Sequence, residues 1–380
     1  MQNYTANVKK APTQAENCRY HLNPSSFSCK SSWKCEAQFL NVVTMSSISL
    51  KTSVDLGIVP THIKFVGGLV PDESGKLPRN EDGKLRLVAE AEHLLANSPA
   101  PISTIQVPFF PGLDQTEVDE MFEAIKSTGV KPLLIMMVGG GNPMDPADED
   151  SVIPGLVEGL EAAKRHGIEH VSSTTLEEWM KQGATELTGD AFDAAVAQLG
   201  KLHARAVREA NALNSCIKHW HIEFLRGIEF QTFTDVRKGW AAVKAMNAEL
   251  GGSFFKIIVD AAHCGDSALN MVENAEAIKE IGAEGGISMF HASAKTTRGC
   301  LSTDDGWIGH LLTACAETGN LEIVLVELFH HEDAALAGLR EADPGHGIDT
   351  TDGRSYSQCT IDGLVDVARR MNNLVTRGKL

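Results

Sequence analysis

Short runs of apolar and β-branched residues alternate with segments of helical period from residue 60 to the C-terminus. Runs that are apolar throughout are typical of parallel strands buried on both faces. The sequence predicts eight such strands, at residues 62–69, 104–110, 133–138, 170–175, 219–225, 256–262, 287–293 and 322–328. This alternation limits the fold to one in which helices cover a mostly parallel sheet.

A predicted helix follows each predicted strand. The helical segments are residues 85–96, 116–127, 152–165, 191–213, 235–250, 268–281, 307–317 and 361–376. Eight strand–helix units predict a (β/α)₈ TIM barrel. A doubly wound open sheet is the competing fold, but Gly67-Gly68 after the first predicted strand lacks the G-x-G-x-x-G spacing typical of that fold.

The composition argues against some classes of binding partner and indicates a cellular compartment. The chain has 380 residues and a formal net charge of −16 at pH 7, which argues against nucleic acid or an anionic membrane as the main partner. No stretch approaches the ~18 consecutive apolar residues of a membrane span. The eight cysteines contain no C-x-x-C pair and do not cluster as a disulfide framework does. We therefore expect a reducing compartment and a cytoplasmic protein.

The first 44 residues differ from the rest because they lack periodicity. We predict a disordered or irregular N-terminal extension at 1–44, followed by a single TIM-barrel domain at 45–380. Patterning begins just after Met45, so that residue is an alternative start of the natural protein. Cys18, His21, Cys29 and Cys35 match no common zinc-finger spacing.

Ionisable residues cluster at the ends of the last four predicted strands. Glu223, Asp260, His291 and Glu327 each interrupt an apolar run. Chemistry in such barrels lies at the C-terminal ends of the strands, and a carboxylate buried there is costly unless it is paired or bound to a metal. A single residue of this kind is usually a cap or a satisfied polar group, but four on neighbouring strands favour a shared site. Three carboxylates and one imidazole suit Mn²⁺, Co²⁺ or Mg²⁺, with Zn²⁺ as a further candidate.

These residues carry a resemblance to the xylose-isomerase-like TIM-barrel superfamily, closest to its branch of D-tagatose/D-psicose 3-epimerases. I-E-F-L-R-G-I-E resembles that branch's E-P-L-N-R-x-E at Glu223 and Glu229, and V-D-A-A-H resembles its D-x-x-H at Asp260 and His263. F-H-A-S-A-K-T-T-R-G resembles its strand-seven motif at His291 and Arg298. V-E-L resembles the last-strand motif at Glu327.

The resemblance implies a divalent-metal-dependent sugar isomerase or epimerase, with a ketose 3-epimerase as the leading candidate. It implies that Glu223, Asp260, His291 and Glu327 hold one cation and that Glu223 and Glu327 also transfer protons. The reaction would abstract the proton next to a ketone and pass through a metal-bound enediolate. The implied substrate contacts are Glu229, His263 and Arg298. The implied partner is a small ketose or related sugar, and dimerisation through the barrel helices is common among such proteins.

Departures from the family pattern leave the substrate open. Phe224, Arg226 and Thr297 stand where the family has Pro, Asn and Asn. The same ligands serve sugar-acid and inosose dehydratases and aldose–ketose isomerases, which remain alternatives. Leu225 stands where true xylose isomerases have a Lys, which counts against a second metal. A non-catalytic, metal-bearing sugar-binding protein is the alternative from another functional class.

Overall fold

Eight parallel strands close into a barrel in which each strand pairs with its neighbours in sequence, and β8 returns to pair with β1. The computed structural model describes residues 47–61, 69–294, 306–328, 337–343 and 353–380. These residues lie in one compact unit, Met45–Leu380, and the predicted extension at 1–44 lies outside them. The strands are β1 (Asp55–Val59), β2 (Thr104–Phe109), β3 (Lys131–Met136), β4 (His170–Ser173), β5 (His219–Ile222), β6 (Phe255–Asp260), β7 (Ile287–Ala292) and β8 (Ile323–Glu327).

Helices connect and follow the strands. In the described ranges they are α1 (Arg86–Asn97), α2 (Gln115–Ser127), α3 (Glu149–Arg165), α4 (Gly189–Glu209), α5 (Val236–Leu250), α6 (Ala261–Asp266), α7 (Met271–Ala283), α8 (Trp307–Glu317), α9 (Ala337–Ala342) and α10 (Tyr356–Thr376). Short 3₁₀ helices lie at Pro146–Asp148 and Ala212–Asn214. Among the described residues, none of the helices combines the length and the apolar character that a membrane span requires. The architecture confirms the predicted (β/α)₈ barrel.

The first strand of the barrel lies before the segment that the sequence predicts for it. We predicted it at 62–69, and residues 62–68 lie outside the described part of the chain. The first barrel strand is instead Asp55–Val59, a short segment that contains Gly57. A Cβ atom at Gly57 would lie 2.1 Å from the backbone oxygen of Thr104 on β2, so the close approach of these strands requires glycine. The other seven strands are confirmed, with boundaries that differ by at most three residues.

A small apolar layer packs between the barrel strands next to the charged strand ends. It consists of Val59, Leu133, Ile258, Met289, Ile323 and Leu325. Ile258, Met289 and Leu325 each stand two residues before Asp260, His291 and Glu327. Since side chains two residues apart on a strand point the same way, this layer and the charged side chains above it face the same interior. The packed layer therefore supports the charged groups from below.

Candidate metal centre

The four predicted ligands meet at the C-terminal end of the barrel. Asp260 and Glu327 are the last residues of β6 and β8, His291 lies near the end of β7, and Glu223 directly follows β5. One ligand atom from each of the four lies within 4.8 Å of the others. All four residues are buried, with exposed fractions of 4 % for Glu223, 0 % for Asp260, 1 % for His291 and 7 % for Glu327. The structure thus brings the whole predicted ligand set together.

The imidazole of His291 lies between the carboxylates. Its Nδ1 atom is 3.2 Å from Oε2 of Glu327, 3.3 Å from Oε1 of Glu223 and 4.0 Å from Oδ2 of Asp260. The single N–H of Nδ1 can make a well-aligned hydrogen bond to only one of these three oxygens at a time. One nitrogen and three acidic oxygens are thus gathered close to one another, as the ligands of a shared cation are.

Burial and charge act in opposite directions on the pKa values of this cluster. Burial by itself raises the pKa of Glu223, but the positive charge of His291 and the nearby His263 outweigh it and lower that pKa to about 2. Burial by itself lowers the pKa of His291, whereas Glu223 and Glu327 raise it well above its ordinary value. Glu223 is therefore ionised and His291 protonated at neutral pH when only the protein's own groups balance one another.

Asp260 has two separate tasks for its two oxygens. Oδ1 accepts a hydrogen bond from the backbone N–H of His263 at 2.7 Å and so caps the N-terminus of α6. Oδ2 is the oxygen that faces His291. The cap fixes the carboxylate plane, because one oxygen is held by the helix while the other points into the cluster. This is a supporting interaction of the kind that orients metal ligands.

His263 packs against the same cluster. Its Nδ1 atom lies 3.4 Å from Oε1 of Glu223 and 3.7 Å from Oδ1 of Asp260. The ring is buried and meets the ring of Phe224 edge to face, with centroids 6.1 Å apart. The residue predicted to contact substrate therefore adjoins two of the predicted ligands.

The cluster fits a divalent cation. Three carboxylates with one imidazolium leave a formal charge of minus two in a buried site, which is unfavourable without a counter-ion. In addition, Oε1 of Glu223 is buried and accepts no well-formed hydrogen bond from the described residues. Oxygen-rich sites with one imidazole suit Mn²⁺, Mg²⁺ or Co²⁺. The charge and the donor set therefore both match the predicted metal centre.

A second polar network lies beside this centre. Both oxygens of Glu229 are engaged: Oε1 accepts from Nε1 of Trp179 at 3.1 Å, and Oε2 accepts from Nε of Arg226 at 3.2 Å. Nη1 of Arg226 also donates to Asp266 at 3.1 Å and to Asp343 at 2.8 Å. The predicted substrate contact Glu229 thus belongs to an ion-pair network centred on Arg226.

One predicted site residue lies outside the described part of the chain, and several residues of the network were not predicted. Arg298 lies outside the described residues, so its predicted role as a substrate contact stays a prediction. In the sequence, Arg226 stands out as a departure from the family pattern, whereas Trp179, Asp266 and Asp343 belong to none of the predicted site motifs. Trp179 is an aromatic residue among polar neighbours, which is a signal readable in the sequence, and in the structure it is 44 % exposed. Asp266 and Asp343 carry no such signal in the sequence, because nothing in their spacing relates them to Arg226.

Comparisons with known proteins agree on the architecture. The structure of an L-ribulose 3-epimerase matches with a TM-score of 0.61 at 14 % identity, covering 86 % of this chain and 96 % of that one. A D-allulose 3-epimerase from Methylomonas sp. in complex with D-allulose matches with a TM-score of 0.61 at 13 % identity, covering 85 % and 99 %. The IolI protein with a bound zinc atom matches with a TM-score of 0.51 at 13 % identity, covering 86 % and 99 %.

At the level of sequence, neither a family model nor a curated protein matches the chain. Likeness at these low identities shows the fold, and several of the proteins that share it are sugar epimerases. The chain therefore has the (β/α)₈ barrel fold that these proteins share.

Proposed function

We propose that the chain is a divalent-metal-dependent sugar isomerase or epimerase, and specifically a ketose 3-epimerase. The observation that carries the proposal is the convergence of Glu223, Asp260, His291 and Glu327 in one buried cluster at the catalytic end of the barrel. A barrel that needed these residues only for stability would gain nothing from placing three carboxylates so close together. The shared fold with ketose epimerases supports the same assignment.

The four clustered residues would hold the cation, through one oxygen of each carboxylate and Nδ1 of His291. When bound, the cation supplies Lewis-acid polarisation of the substrate's ketone oxygen and adjacent hydroxyl. Mn²⁺, Co²⁺ and Mg²⁺ are the proposed ions, and the zinc atom bound by the IolI protein makes Zn²⁺ a further candidate.

The chain's own residues would perform the proton transfers. Glu223 directly follows β5 and Glu327 is the last residue of β8, and these two strands are separated around the barrel by β6 and β7. They therefore approach a bound sugar from different sides. One carboxylate accepts the proton from C3 of a ketose, the C–H electron pair moves toward the C2 carbonyl, and an enediolate forms. The other carboxyl group returns a proton to the opposite face of C3, which inverts that centre.

The remaining assignments stay predictions. A small ketose is the proposed ligand, in line with the D-allulose held by one protein of the same fold. Glu229, His263 and Arg298 are the proposed substrate contacts. A cytoplasmic location and self-association belong to the same proposal, and each needs its own measurement.

Solvent exchange tests the function. The protein loaded with Mn²⁺ or Co²⁺ is incubated with a panel of ketoses in D₂O, and deuterium at the reacting carbon is followed by NMR. An epimerase incorporates deuterium and inverts C3, a dehydratase forms an enone-type product that absorbs in the ultraviolet, and a sugar-binding protein does neither. The absence of exchange with every ketose would remove the epimerase assignment.

Variants identify the proton-transfer groups. Glu223→Gln and Glu327→Gln should each abolish exchange, and metal content is measured in parallel because both residues are proposed ligands. Glu322→Gln is the matched control, since Glu322 precedes β8 at the opposite end of the same strand. Exchange that continues unchanged in either test variant would exclude that residue from the mechanism.

A further inference from the structure

Arg226 is a buried cation held by three carboxylates from different parts of the chain. Its side chain is 5 % exposed, and its partners Glu229, Asp266 and Asp343 are 9 %, 26 % and 33 % exposed. Glu229 belongs to the loop after β5, Asp266 is the last residue of α6, and Asp343 directly follows α9. One guanidinium therefore joins segments that follow β5, β6 and β8.

The network extends to the loop after β4 through Glu229. Besides the bond from Nε1 of Trp179 to the Glu229 side chain, the backbone N–H of Met180 donates to the backbone oxygen of Glu229 at 2.9 Å. Met180 adopts a left-handed backbone conformation, with φ of 51°, which is uncommon for a residue other than glycine. Such a conformation persists where surrounding contacts hold it.

We propose that Arg226 is a positioning residue that fixes the loops around the mouth of the barrel. Arg226 stands three residues after the proposed ligand and proton-transfer group Glu223, so the loop that it anchors begins at the metal centre. By holding Glu229 and Asp343, it sets where the segments after β4, β5, β6 and β8 lie relative to that centre. The effect on turnover rests on the proposed function, whereas the effect on loop order does not.

The chemistry of the side chain suits this role. The planar guanidinium directs Nε toward one carboxylate and Nη1 toward two others, a geometry that the single ammonium of lysine cannot reproduce. Its charge also offsets three carboxylates beside a centre that already contains three more. Removing the charge would leave these partners to repel one another, and the segments that carry them would separate.

Amide hydrogen exchange and steady-state kinetics on the metal-loaded full chain test the proposal. Arg226→Gln should lose protection in peptides that cover 178–181 and 337–343. It should raise KM for the ketose by roughly 10-fold or more with a smaller change in kcat, because misplaced binding groups weaken substrate binding and orientation. Affinity for Mn²⁺ should stay unchanged. Arg226→Lys, which keeps the charge but not the fork, should fall between Arg226→Gln and the wild type.

Arg205 supplies a matched control. It also bonds three carboxylates through Nη1 and Nε, namely Glu149, Asp150 and Glu209, but its side chain is 41 % exposed on the helical exterior. Arg205→Gln should leave both the protected peptides and KM unchanged. Effects of equal size in Arg205→Gln and Arg226→Gln would overturn the proposal, as would wild-type protection of both peptides in Arg226→Gln or a fall in kcat with KM unchanged.

Asp343→Asn keeps the test decisive if the Arg226 variants do not fold. Asp343 is the most exposed of the three partners, so its neutralisation should be tolerated while it removes one anchor. It should lose protection at 337–343 only, and retained protection there would overturn the proposal. If the wild type turns over no ketose, the proposed function fails. The amide hydrogen exchange of the protein still decides whether Arg226 orders the loops.

Discussion

Asp260→Asn should have opposite effects on the metal-free and the metal-loaded protein. Asparagine caps a helix about as well as aspartate, so the bond from the backbone N–H of His263 to Oδ1 can be kept. What the variant removes is one negative charge and one proposed ligand oxygen. The change therefore isolates the electrostatics of the cluster from the stability of α6.

The magnitude in the absence of metal follows from the distances. Each of Glu223 and Glu327 has an oxygen within 4.8 Å of Asp260, which at an effective dielectric constant of about 20 gives a repulsion of at least ~3.5 kcal/mol apiece. His291 at 4.0 Å contributes an attraction of ~4 kcal/mol on the same scale. The balance is a net repulsion of about 3 kcal/mol, so the metal-free variant should unfold at a higher temperature than the wild type.

The magnitude with metal follows from mass action. A ligand at 100 times its Kd stabilises the folded state by ~2.7 kcal/mol. For a barrel of roughly 330 residues, whose unfolding entropy is ~0.7 kcal/mol per kelvin, this corresponds to a rise in Tm of ~4 °C. Wild-type protein should show this rise with Mn²⁺, and Asp260→Asn should lose most of it.

Calorimetry after treatment with a chelator, and again after addition of Mn²⁺, measures both effects. Asp235→Asn is the matched control, because Asp235 is a buried N-cap of α5 outside the cluster. It should keep the full Mn²⁺ response. The reasoning is refuted if Asp260→Asn lowers the Tm of the metal-free protein, or if it retains a wild-type response to Mn²⁺.

Three further predictions concern protons and packing. Metal binding near pH 7 should release about one proton, because the pKa of His291 is raised and the ligand must be neutral; calorimetric titration in buffers of different ionisation enthalpy measures it, and no release contradicts it. Burial lowers the pKa of His203 to about 4, so the free energy of unfolding should fall by about 3 kcal/mol through this residue as pH drops from 6.5 to 4. The free energy of unfolding, measured with urea at each pH in that range, should depend less on pH in His203→Gln than in the wild type. An equally steep dependence on pH in the variant would contradict protonation of His203 as the cause. Gly57→Ala should destabilise the fold by ~1–3 kcal/mol or more through its clash with Thr104, whereas Gly139→Ala, with open space around it, should not; equal stability of the two variants would refute the assignment of β1.

The sequence predicts well those strands and helices that show a regular local pattern of apolar residues. Strands β2, β6, β7 and β8 are predictable because they are largely apolar and buried along their whole length. Helix α8 is predicted at its observed bounds because its apolar stripe is regular. Strand β1 was missed because its five residues include Asp55 and Gly57, which are both unfavourable in strands. Its position depends on the approach of β2, which local sequence does not encode.

The candidate site divides in the same way. Glu223, Asp260, His291 and Glu327 could be predicted because a charge that interrupts a buried strand is costly and therefore conspicuous. The network around Arg226 could not, because Asp343 lies 117 positions away in sequence and meets Arg226 only through the tertiary path of the chain. Loop conformations of this kind follow no period that a sequence pattern reveals.

The central claim is that four side chains from four neighbouring strands bind one divalent cation. A crystal soaked in Mn²⁺ and measured for anomalous scattering tests this claim most directly. The account predicts a single strong peak within bonding distance of one atom each from Glu223, Asp260, His291 and Glu327. A peak elsewhere in the barrel, or a cluster that stays without an anomalous signal at saturating Mn²⁺, would contradict it.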